Sequence, residues 1–312
     1  MNRVTIIGVG YTPLRSITPE LNWKELTFQA AVKAFEDAGI DPRRDVDCFL
    51  TCAEDYWEGF SIFDEFTPDQ LGAFLRPMTT VCADGIHGLA NAYMQIQTGL
   101  YNVVVVEAHS KISELLSYED IVEISFDPIY EAPLIRANRI HPYFPSGLDM
   151  RLFMERTGTT ERQCAQVVVK NKRNALLNPI AAYPAKLEVE DVLGSEYAFH
   201  PVKRLDVAEK ADGCIVFVLA SEDVSKSLKA EPIYIEGVGW CSESPWVRAR
   251  NGEANYARES AKMAYKLAGI TKPAEEIDIA EVDDRFSFKE LQHLESLGLA
   301  PEGMAGDMLE DG

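Results

Sequence analysis

The stretch that decides the fold is RVTIIGVG at residues 3–10, which leads to AFEDAGI at residues 34–40. The same order returns about 230 residues later, as IYIEGVG at residues 233–239 followed by AYKLAGI at residues 264–270. Each copy predicts a strand, a loop, an amphipathic helix that a glycine ends, and a second strand. Matching order and spacing favour a duplication over chance, so the sequence predicts an α/β fold built from two related halves.

The repeat also predicts where the halves lie and how complete they are. We expect the first half to span residues 1–224, with an insertion over its core at about residues 113–200, and the second half to span residues 225–312. Cys82 lies 43 residues after the glycine that ends the first helix, and the same number of residues follows the glycine of the matching helix. The second half is therefore expected to be incomplete at its C-terminal end.

The composition argues against some function classes. A net charge of −20 disfavours broad binding to nucleic acids or anionic membranes, which needs a clustered basic surface. The six cysteines show no paired CxxC spacing, so neither a zinc site nor a disulfide framework is predicted, and a cytoplasmic protein with reduced thiols fits best. The chain opens on a strand without a signal region, and no apolar run approaches the ~20 residues that span a bilayer.

Hydrophobic periodicity predicts the elements between these landmarks. A run of four valines at residues 103–106 indicates a parallel strand that is covered on both faces. The other predictions are helices at residues 21–38, 83–99, 148–157, 160–177, 254–268 and 286–297, and strands at residues 46–52, 78–81, 212–220 and 277–282.

The segment TTVCADGIHG at residues 79–88 places Cys82 at a turn between a strand and a helix. Unpaired N–H groups and the positive end of the helix dipole at such a turn stabilise a thiolate. The same N–H groups can bind the oxyanion that forms when a thioester carbonyl is attacked. A lone cysteine is more often a small core residue, so the position alone leaves both interpretations open.

Other residues have a functional and a structural interpretation side by side. The GVG at residues 8–10 lacks the third glycine of a dinucleotide-binding loop. His87 lies one helical turn after the cysteine and either pairs with the thiol or points away from it. His109 follows the valine-rich strand, where it either faces a ligand pocket or packs, while His200 and His293 are expected at the surface.

Short motifs along the chain carry a family resemblance. They are VTIIGVGYT at residues 4–12, AGID at 38–41, CADG at 82–85, VVVKNKRNA at 167–175 followed by NP at 178–179, EDVL at 190–193 and EVDDRF at 281–286. In this order they resemble the motifs of the thiolase superfamily, most closely the archaeal-type and sterol-carrier-protein-type thiolases. The resemblance covers essentially the whole chain.

The resemblance implies a thiolase-like fold, in which two αβαβα-type halves form a five-layered core. It also implies an acyl-CoA C-acyltransferase of the acetyl-CoA acetyltransferase type, whose cysteine, here Cys82, takes the acyl group from a CoA thioester. Asp283 stands where the family has a histidine of its oxyanion site, and Asp84 and Lys172 also replace family residues. An ionised carboxylate cannot donate a hydrogen bond, so Asp283 is a candidate for a different polar or acid–base role.

The loop after the second-copy strand is aromatic and basic in an otherwise acidic chain, and by resemblance it lies where thiolases contact CoA. Its candidate CoA-binding residues are Trp240, Ser242, Arg248 and Arg250, because tryptophan offers a stacking surface and arginine pairs with phosphates. His109 joins this candidate set if it faces the pocket. An ordinary surface loop is the alternative.

The resemblance further implies a CoA thioester as substrate, no cofactor, no metal, and a homodimer or homotetramer. Two alternatives stay open. The chain could be a non-catalytic thiolase-like subunit that needs a partner, such as the small zinc-ribbon/OB-fold acyl-CoA-binding protein of some relatives. It could also be a thiolase-like aldolase that cleaves β-hydroxyacyl-CoA, with Asp283 or Asp284 as the base.

Overall fold

The computed structural model describes residues 3–54, 58, 62–114, 143–228, 231–244 and 251–311. The chain forms two compact units. Unit 1 comprises Met1–Leu116, Ile180–Ala182 and Lys210–Val238, and unit 2 comprises Ser117–Pro179, Tyr183–Glu209 and Gly239–Gly312. Among the described helices, none combines the length and the apolar character that a membrane span requires.

Unit 1 is built on a six-stranded mixed sheet with the order β3-β2-β4-β7-β1-β8. Its strands are β1 (Val4–Tyr11), β2 (Cys48–Cys52), β3 (Met78–Val81), β4 (Val103–Ser110), β7 (Gly213–Ser221) and β8 (Ile233–Ile235). Strand β2 runs parallel to β3 and β4, whereas β7 is antiparallel to both β4 and β1. Its helices are α1 (Trp23–Ala38), α2 (Pro42–Asp45), α3 (Pro68–Leu71), α4 (Gly85–Gln97) and α8 (Glu222–Ser225).

The two faces of this sheet carry separate apolar cores. Helix α1 buries Leu26, Ala30 and Ala34 against β-branched residues such as Val105 and Val216 on one face. The second core belongs to α4 and the opposite face, and its buried members include Ala92, Ile96, Val104 and Val106. Because the valine run of β4 contributes to both cores, the sequence prediction of a strand covered on both faces is confirmed.

Unit 2 is mainly helical in its described part. Its elements are α5 (Phe144–Thr157), α6 (Glu161–Ala175), α7 (Val189–Gly194), β5 (Tyr197–Phe199), β6 (Val202–Lys203), α9 (Asn255–Ala268), α10 (Pro273–Glu276), α11 (Ser287–Ser296) and α12 (Ala305–Asp311). Its core joins Met150 and Phe153 of α5, Val167 of α6, and Phe288 and Leu291 of α11. Residues far apart in the chain therefore share one core.

The repeat seen in the sequence is also a repeat of backbone geometry. Gly39 and Gly269 end their helices in the left-handed conformation, with φ values of 67° and 75°. A one-turn helix that begins at a proline follows each of them, α2 in the first copy and α10 in the second. A Cβ atom on Gly10 would lie 2.1 Å from the Ala30 carbonyl oxygen, and one on Gly239 would lie 2.2 Å from that of Ser260. In each copy the backbone at this glycine therefore packs directly against the helix, with no side chain between them.

Two sequence predictions are wrong in unit 2. Residues 277–282 form no strand, and Ile279 is 83% exposed. The segment pairs with no described strand, and a strand is stable only with a neighbour that satisfies its backbone groups. His293 was expected at the surface but is buried, because α11 is enclosed on nearly all sides in spite of its polar sequence.

Candidate functional site

Cys82 follows the last residue of β3 and precedes the first residue of α4 by three positions, and it is exposed. All six cysteines are thiols, and Cys241 is the other exposed one. Burial raises the pKa of the Cys52 and Cys164 thiols, which makes them poor nucleophiles. Cys82 is therefore accessible, as a nucleophile must be, whereas a core cysteine is not.

Asp84 is the residue that begins the helix behind this cysteine. Its side chain accepts a hydrogen bond from the His87 backbone N–H at 3.1 Å, and its Oδ1 lies 3.0 Å from His87 Nδ1. The carboxylate therefore occupies the positive end of the helix and interacts with the imidazole. The described contacts pair His87 with Asp84, and its pairing with the Cys82 thiol stays a prediction. The charge of Asp84 also opposes formation of a thiolate at Cys82.

The sheet register places Cys82 and His109 at the same level. Val81 of β3 and Ala108 of β4 both pair with Cys52 of β2, the strand between them. Cys82 directly follows Val81, and His109 directly follows Ala108. The two candidate residues thus lie at one end of the sheet, two strands apart.

His109 is buried in a closely packed environment. Its ring stacks on Trp23 at 5.1 Å between centroids and meets the edge of Phe63 at 4.7 Å. Its Nδ1 lies 2.8 Å from Glu107 Oε1, while Nε2 has no hydrogen-bond partner among the described residues. The side chain of His109 has no exposed surface in the structure. Contact between His109 and CoA therefore stays a prediction.

Glu107 and His109 form a buried ion pair. Burial alone would raise the pKa of Glu107, but the charge of His109 and several hydrogen bonds hold that pKa below its usual value. Burial would likewise lower the pKa of His109, but the charge of Glu107 and its hydrogen bond raise it. Thr51 donates to Glu107 Oε2 at 2.6 Å and Thr27 donates to Oε1 at 3.0 Å, so the carboxylate is well satisfied.

The candidate CoA-binding residues of the second copy fall partly within the described chain. Trp240 is 40% exposed and Ser242 is also exposed, whereas Arg248 and Arg250 lie outside the described residues. Glu243, the next residue, accepts hydrogen bonds from the side chain of Asn255 and from the backbone N–H of Tyr256, both at 3.2 Å. This loop is thereby attached to the first turn of α9.

Asp283 lies in the irregular segment before α11 and is exposed. Its Oδ1 accepts from the Arg285 backbone N–H at 2.9 Å, and its backbone oxygen lies 3.2 Å from His293 Nδ1. A carboxylate in this setting accepts hydrogen bonds, so it does not replace the donor that the family histidine supplies. Its acid–base role stays a prediction.

Four polar residues that the sequence analysis did not single out as a site meet next to Asp283. The hydroxyl of Tyr256 lies 2.7 Å from His293 Nε2 and 3.4 Å from Lys289 Nζ, and Lys289 Nζ lies 2.7 Å from Asp149 Oδ2. Burial and the charge of Lys289 lower the pKa of His293. The spacing of Lys289 and His293, four residues apart on one helix face, was the signal available in the sequence. No group of three or more His, Cys, Asp or Glu side chains that could hold a metal ion occurs within the described ranges.

Comparisons with known proteins agree with the motifs. The thiolase C-terminal domain-like family model matches residues 242–312. An acetyl-CoA acetyltransferase of Methanothermobacter thermautotrophicus is 28% identical, and the match covers 100% of this chain and 81% of the relative. These matches support the resemblance to the thiolase superfamily. The sterol carrier protein 2 of Bos taurus is 26% identical, and the match covers 100% of this chain and 59% of that protein.

Solved structures with a thiolase-like fold are similar to this chain along nearly its whole length. A structure described as an Ltp2-ChsH2(DUF35) aldolase has a TM-score of 0.84 at 22% identity, covering 99% of this chain and 80% of that chain. An acetyl-CoA acetyltransferase from Syntrophomonas wolfei has a TM-score of 0.73 at 17% identity, covering 99% and 91% respectively. The prediction of a thiolase-like α/β fold is confirmed.

Two of the thiolase-like motifs meet inside unit 2. Asn171 donates from Nδ2 to Glu290 Oε2 at 2.7 Å and to Asp284 Oδ2 at 2.8 Å. Lys172, at the position of a family histidine, donates to the Tyr183 backbone oxygen at 3.1 Å. Helix α6 is therefore connected to the EVDDRF segment and to α11, which fixes the surroundings of Asp283.

Proposed function

We propose that this chain is an acyl-CoA C-acyltransferase of the acetyl-CoA acetyltransferase type, with Cys82 as the residue that accepts the acyl group. The observation that supports it is the exposure of Cys82 at the N-terminal end of α4, whereas Cys48, Cys52, Cys164 and Cys214 are buried. The archaeal relatives named acetyl-CoA acetyltransferase, each 28% identical to this chain, support the same activity.

In the proposed acyl transfer, Cys82 Sγ attacks the thioester carbonyl and a new S–C bond forms. The C–S bond to CoA then breaks, and CoA leaves as a thiolate that takes up a proton. The N–H groups in the first turn of α4 stabilise the negative charge that develops on the carbonyl oxygen. Asp84 weakens this stabilisation because its carboxylate already interacts with the same helix end. We therefore expect acylation of Cys82 to be slow.

The acyl acceptor in a C-acyltransferase is a second CoA thioester whose α-carbon loses a proton. Trp240 and Ser242 are exposed and available for contact with CoA, and Arg248 and Arg250 are proposed to pair with its phosphates. Asp283 is retained as a candidate acid–base group because it is exposed to solvent and substrate.

A thiolase-like aldolase acting on β-hydroxyacyl-CoA is the second candidate. Asp283 in place of a hydrogen-bond donor favours it, because cleavage of a β-hydroxyacyl-CoA needs a base and does not need an acyl-enzyme. The structural similarity to a protein described as an aldolase supports the same alternative. Analysis of products from a β-hydroxyacyl-CoA distinguishes the two, since the aldolase releases a carbonyl compound and a shorter acyl-CoA.

Partners are part of the proposal. The similar structure is described as an Ltp2-ChsH2(DUF35) aldolase, a description that names two components. This supports a small zinc-ribbon/OB-fold acyl-CoA-binding partner for this chain, which would be needed most if the chain were a non-catalytic subunit. A homodimer or homotetramer is also proposed. Strand β3 is an end strand of the described sheet, and the nearby Phe74 and Leu75 are 69% and 89% exposed, which suits a contact with a second copy.

The test of acyl transfer is a thioester on the right sulfur. The protein is incubated with acetyl-CoA and digested, and the acetylated peptide is identified by mass spectrometry. We expect the adduct on Cys82 in the wild type and in Cys241→Ala, the matched control for an exposed thiol, and its loss in Cys82→Ala. Absence of an adduct at every pH, or an adduct that persists in Cys82→Ala, contradicts the proposal.

A further inference from the structure

A continuous chain of polar contacts crosses unit 2 from the Asp283 backbone to the Asp149 carboxylate. His293 Nδ1 lies 3.2 Å from the Asp283 backbone oxygen, and His293 Nε2 lies 2.7 Å from the Tyr256 hydroxyl. Lys289 Nζ lies 3.4 Å from the same hydroxyl and 2.7 Å from Asp149 Oδ2. The phenol oxygen is therefore flanked by an imidazole on one side and an ammonium group on the other.

The chemistry of these groups determines the direction of each hydrogen bond. A backbone oxygen only accepts, so His293 carries its hydrogen on Nδ1 and leaves Nε2 as an acceptor. The Tyr256 hydroxyl donates to that nitrogen, and its oxygen accepts from Lys289, which can only donate. Burial and the charge of Lys289 lower the pKa of His293, in agreement with a neutral imidazole. The phenol thus has a proton acceptor and a cation that stabilises its negative form.

Exposure distinguishes Tyr256 from the groups that support it. His293, Lys289 and Asp149 are buried, whereas Tyr256 is only partly buried. Tyr256 therefore keeps part of its surface open to solvent, while the three other side chains are held by protein. A half-buried phenol supported by buried charges has the arrangement of a group that exchanges protons with a ligand.

The position of Tyr256 connects it to two segments that the sequence analysis singled out. Its backbone N–H is bound by Glu243, which directly follows the candidate CoA-binding residue Ser242. Through His293 it contacts Asp283, the residue in the family's oxyanion motif. Tyr256 is thus linked to the first segment through Glu243 and to the second through His293.

We propose that Tyr256 is a catalytic acid–base residue that moves the α-proton of a CoA thioester, with His293 and Lys289 as positioning residues. As the C–H bond breaks, the proton passes to the Tyr256 oxygen, and the hydroxyl proton of Tyr256 passes to His293 Nε2. The electron pair stays on the substrate as an enolate, and the reverse transfer restores the starting state. The inference rests on the proposed use of CoA thioesters, and it serves the acyltransferase and the aldolase alike.

The test is exchange of the methyl hydrogens of acetyl-CoA for deuterium in D₂O, followed by NMR. We expect the wild type to exchange them, and Tyr256→Phe to exchange about 100-fold more slowly, because general acid–base groups contribute about 10²–10⁴ in rate. Tyr265→Phe is the matched control, since that hydroxyl lies on the same helix and donates to the Leu297 backbone oxygen. Absence of exchange by the wild type, or wild-type exchange by Tyr256→Phe, overturns the proposal.

The proposed role of His293 in proton transfer is tested by a measurement that a purely structural role of this residue would not change. In His293→Gln the amide can still hydrogen-bond to the Tyr256 hydroxyl but cannot take up its proton. We expect exchange to fall at least tenfold at a temperature where circular dichroism shows the variant fully folded. Exchange at the wild-type rate would show that His293 only packs, and would overturn the relay.

The outcome is separable from that of acyl transfer. The wild type is scored both for the acetyl adduct on Cys82 and for deuterium exchange of acetyl-CoA. If the protein exchanges deuterium but forms no adduct, the acyltransferase proposal is contradicted and the proposed role of Tyr256 is kept. If the protein forms the adduct but does not exchange deuterium, the proposed role of Tyr256 is contradicted and acyl transfer at Cys82 is kept.

Discussion

Two histidines are buried in the described part of the chain, one in each unit, and their neighbours shift their pKa values in opposite directions. His109 in unit 1 pairs with the Glu107 carboxylate, which raises its pKa in spite of burial. His293 in unit 2 is buried near Lys289, and its pKa is lowered. Burial alone favours the neutral form of both, so the sign of the nearest charge decides which form the protein holds.

The same comparison separates a structural pair from a group suited to proton transfer. The Glu107–His109 pair is fully buried and flanked by Trp23 and Phe63, so its charges are fixed inside the fold. The imidazole of His293 is an uncharged acceptor bound to the hydroxyl of the half-buried Tyr256. A neutral imidazole bound to a hydroxyl offers a proton acceptor, which the imidazole of a fixed ion pair does not.

The largest effect is expected when the buried pair of unit 1 is broken. In Glu107→Gln the carboxylate is lost and His109 remains buried without a counter-charge, so the free energy of unfolding should fall by about 3–5 kcal/mol. Urea denaturation followed by circular dichroism measures it. Glu190→Gln is the control, because the Arg162–Glu190 pair is exposed and its loss should leave the denaturation midpoint almost unchanged. Equal losses in both variants would contradict the buried charge pair.

The second effect compares the pH dependence of the two histidines. The folded pKa of His109 is raised, so its stabilising contribution is complete below the unfolded value of about 6.5 and is lost as pH rises through the folded pKa. The folded pKa of His293 is lowered, so its contribution is complete above about 6.5 and is lost as pH falls through the folded pKa.

Thermal midpoints of His109→Gln and His293→Gln, measured from pH 5 to pH 9 against the wild type, check these signs. The loss caused by His109→Gln should shrink as pH increases. The loss caused by His293→Gln should grow as pH increases from acidic values toward neutrality. Two curves with the same slope would mean that the two sites do not differ in charge.

The smallest effect is expected at the exposed histidine, which serves as the reference for both buried ones. His87→Ala removes the imidazole that pairs with Asp84 but keeps the backbone N–H that this carboxylate binds. Exposed ion pairs contribute little, so the free energy of unfolding should change by less than about 1 kcal/mol. A larger loss in urea denaturation would mean that the side-chain contact, rather than the backbone cap, holds the start of α4.

The fold was predictable where local chemistry and tertiary packing agree. The valine run of β4, the glycines that end α1 and α9, and the Thr160 cap of α6 all follow from local sequence, and the structure contains each of them. The exposure of Cys82 also agrees with its expected position between strand and helix. These features depend on a few adjacent residues.

The missed features depend on partners that are distant in the chain. Residues 277–282 have the apolar content of a strand, but no described strand pairs with them. Helix α11 is polar by composition, yet Lys289 is buried because Asp149, 140 residues away, neutralises it. Neither the missing neighbour nor the distant carboxylate can be inferred from the segment itself, and for this reason the Tyr256 cluster was not predicted.

Gly10 and Gly239 have a consequence for how the two copies can diverge. A single methyl group at either position would collide with a helix backbone, and a backbone oxygen cannot rotate away as a side chain can. Sequence divergence can therefore replace almost any neighbouring side chain, but both of these positions must remain glycine. Both copies therefore share one requirement, the absence of a side chain where the segment crosses its helix.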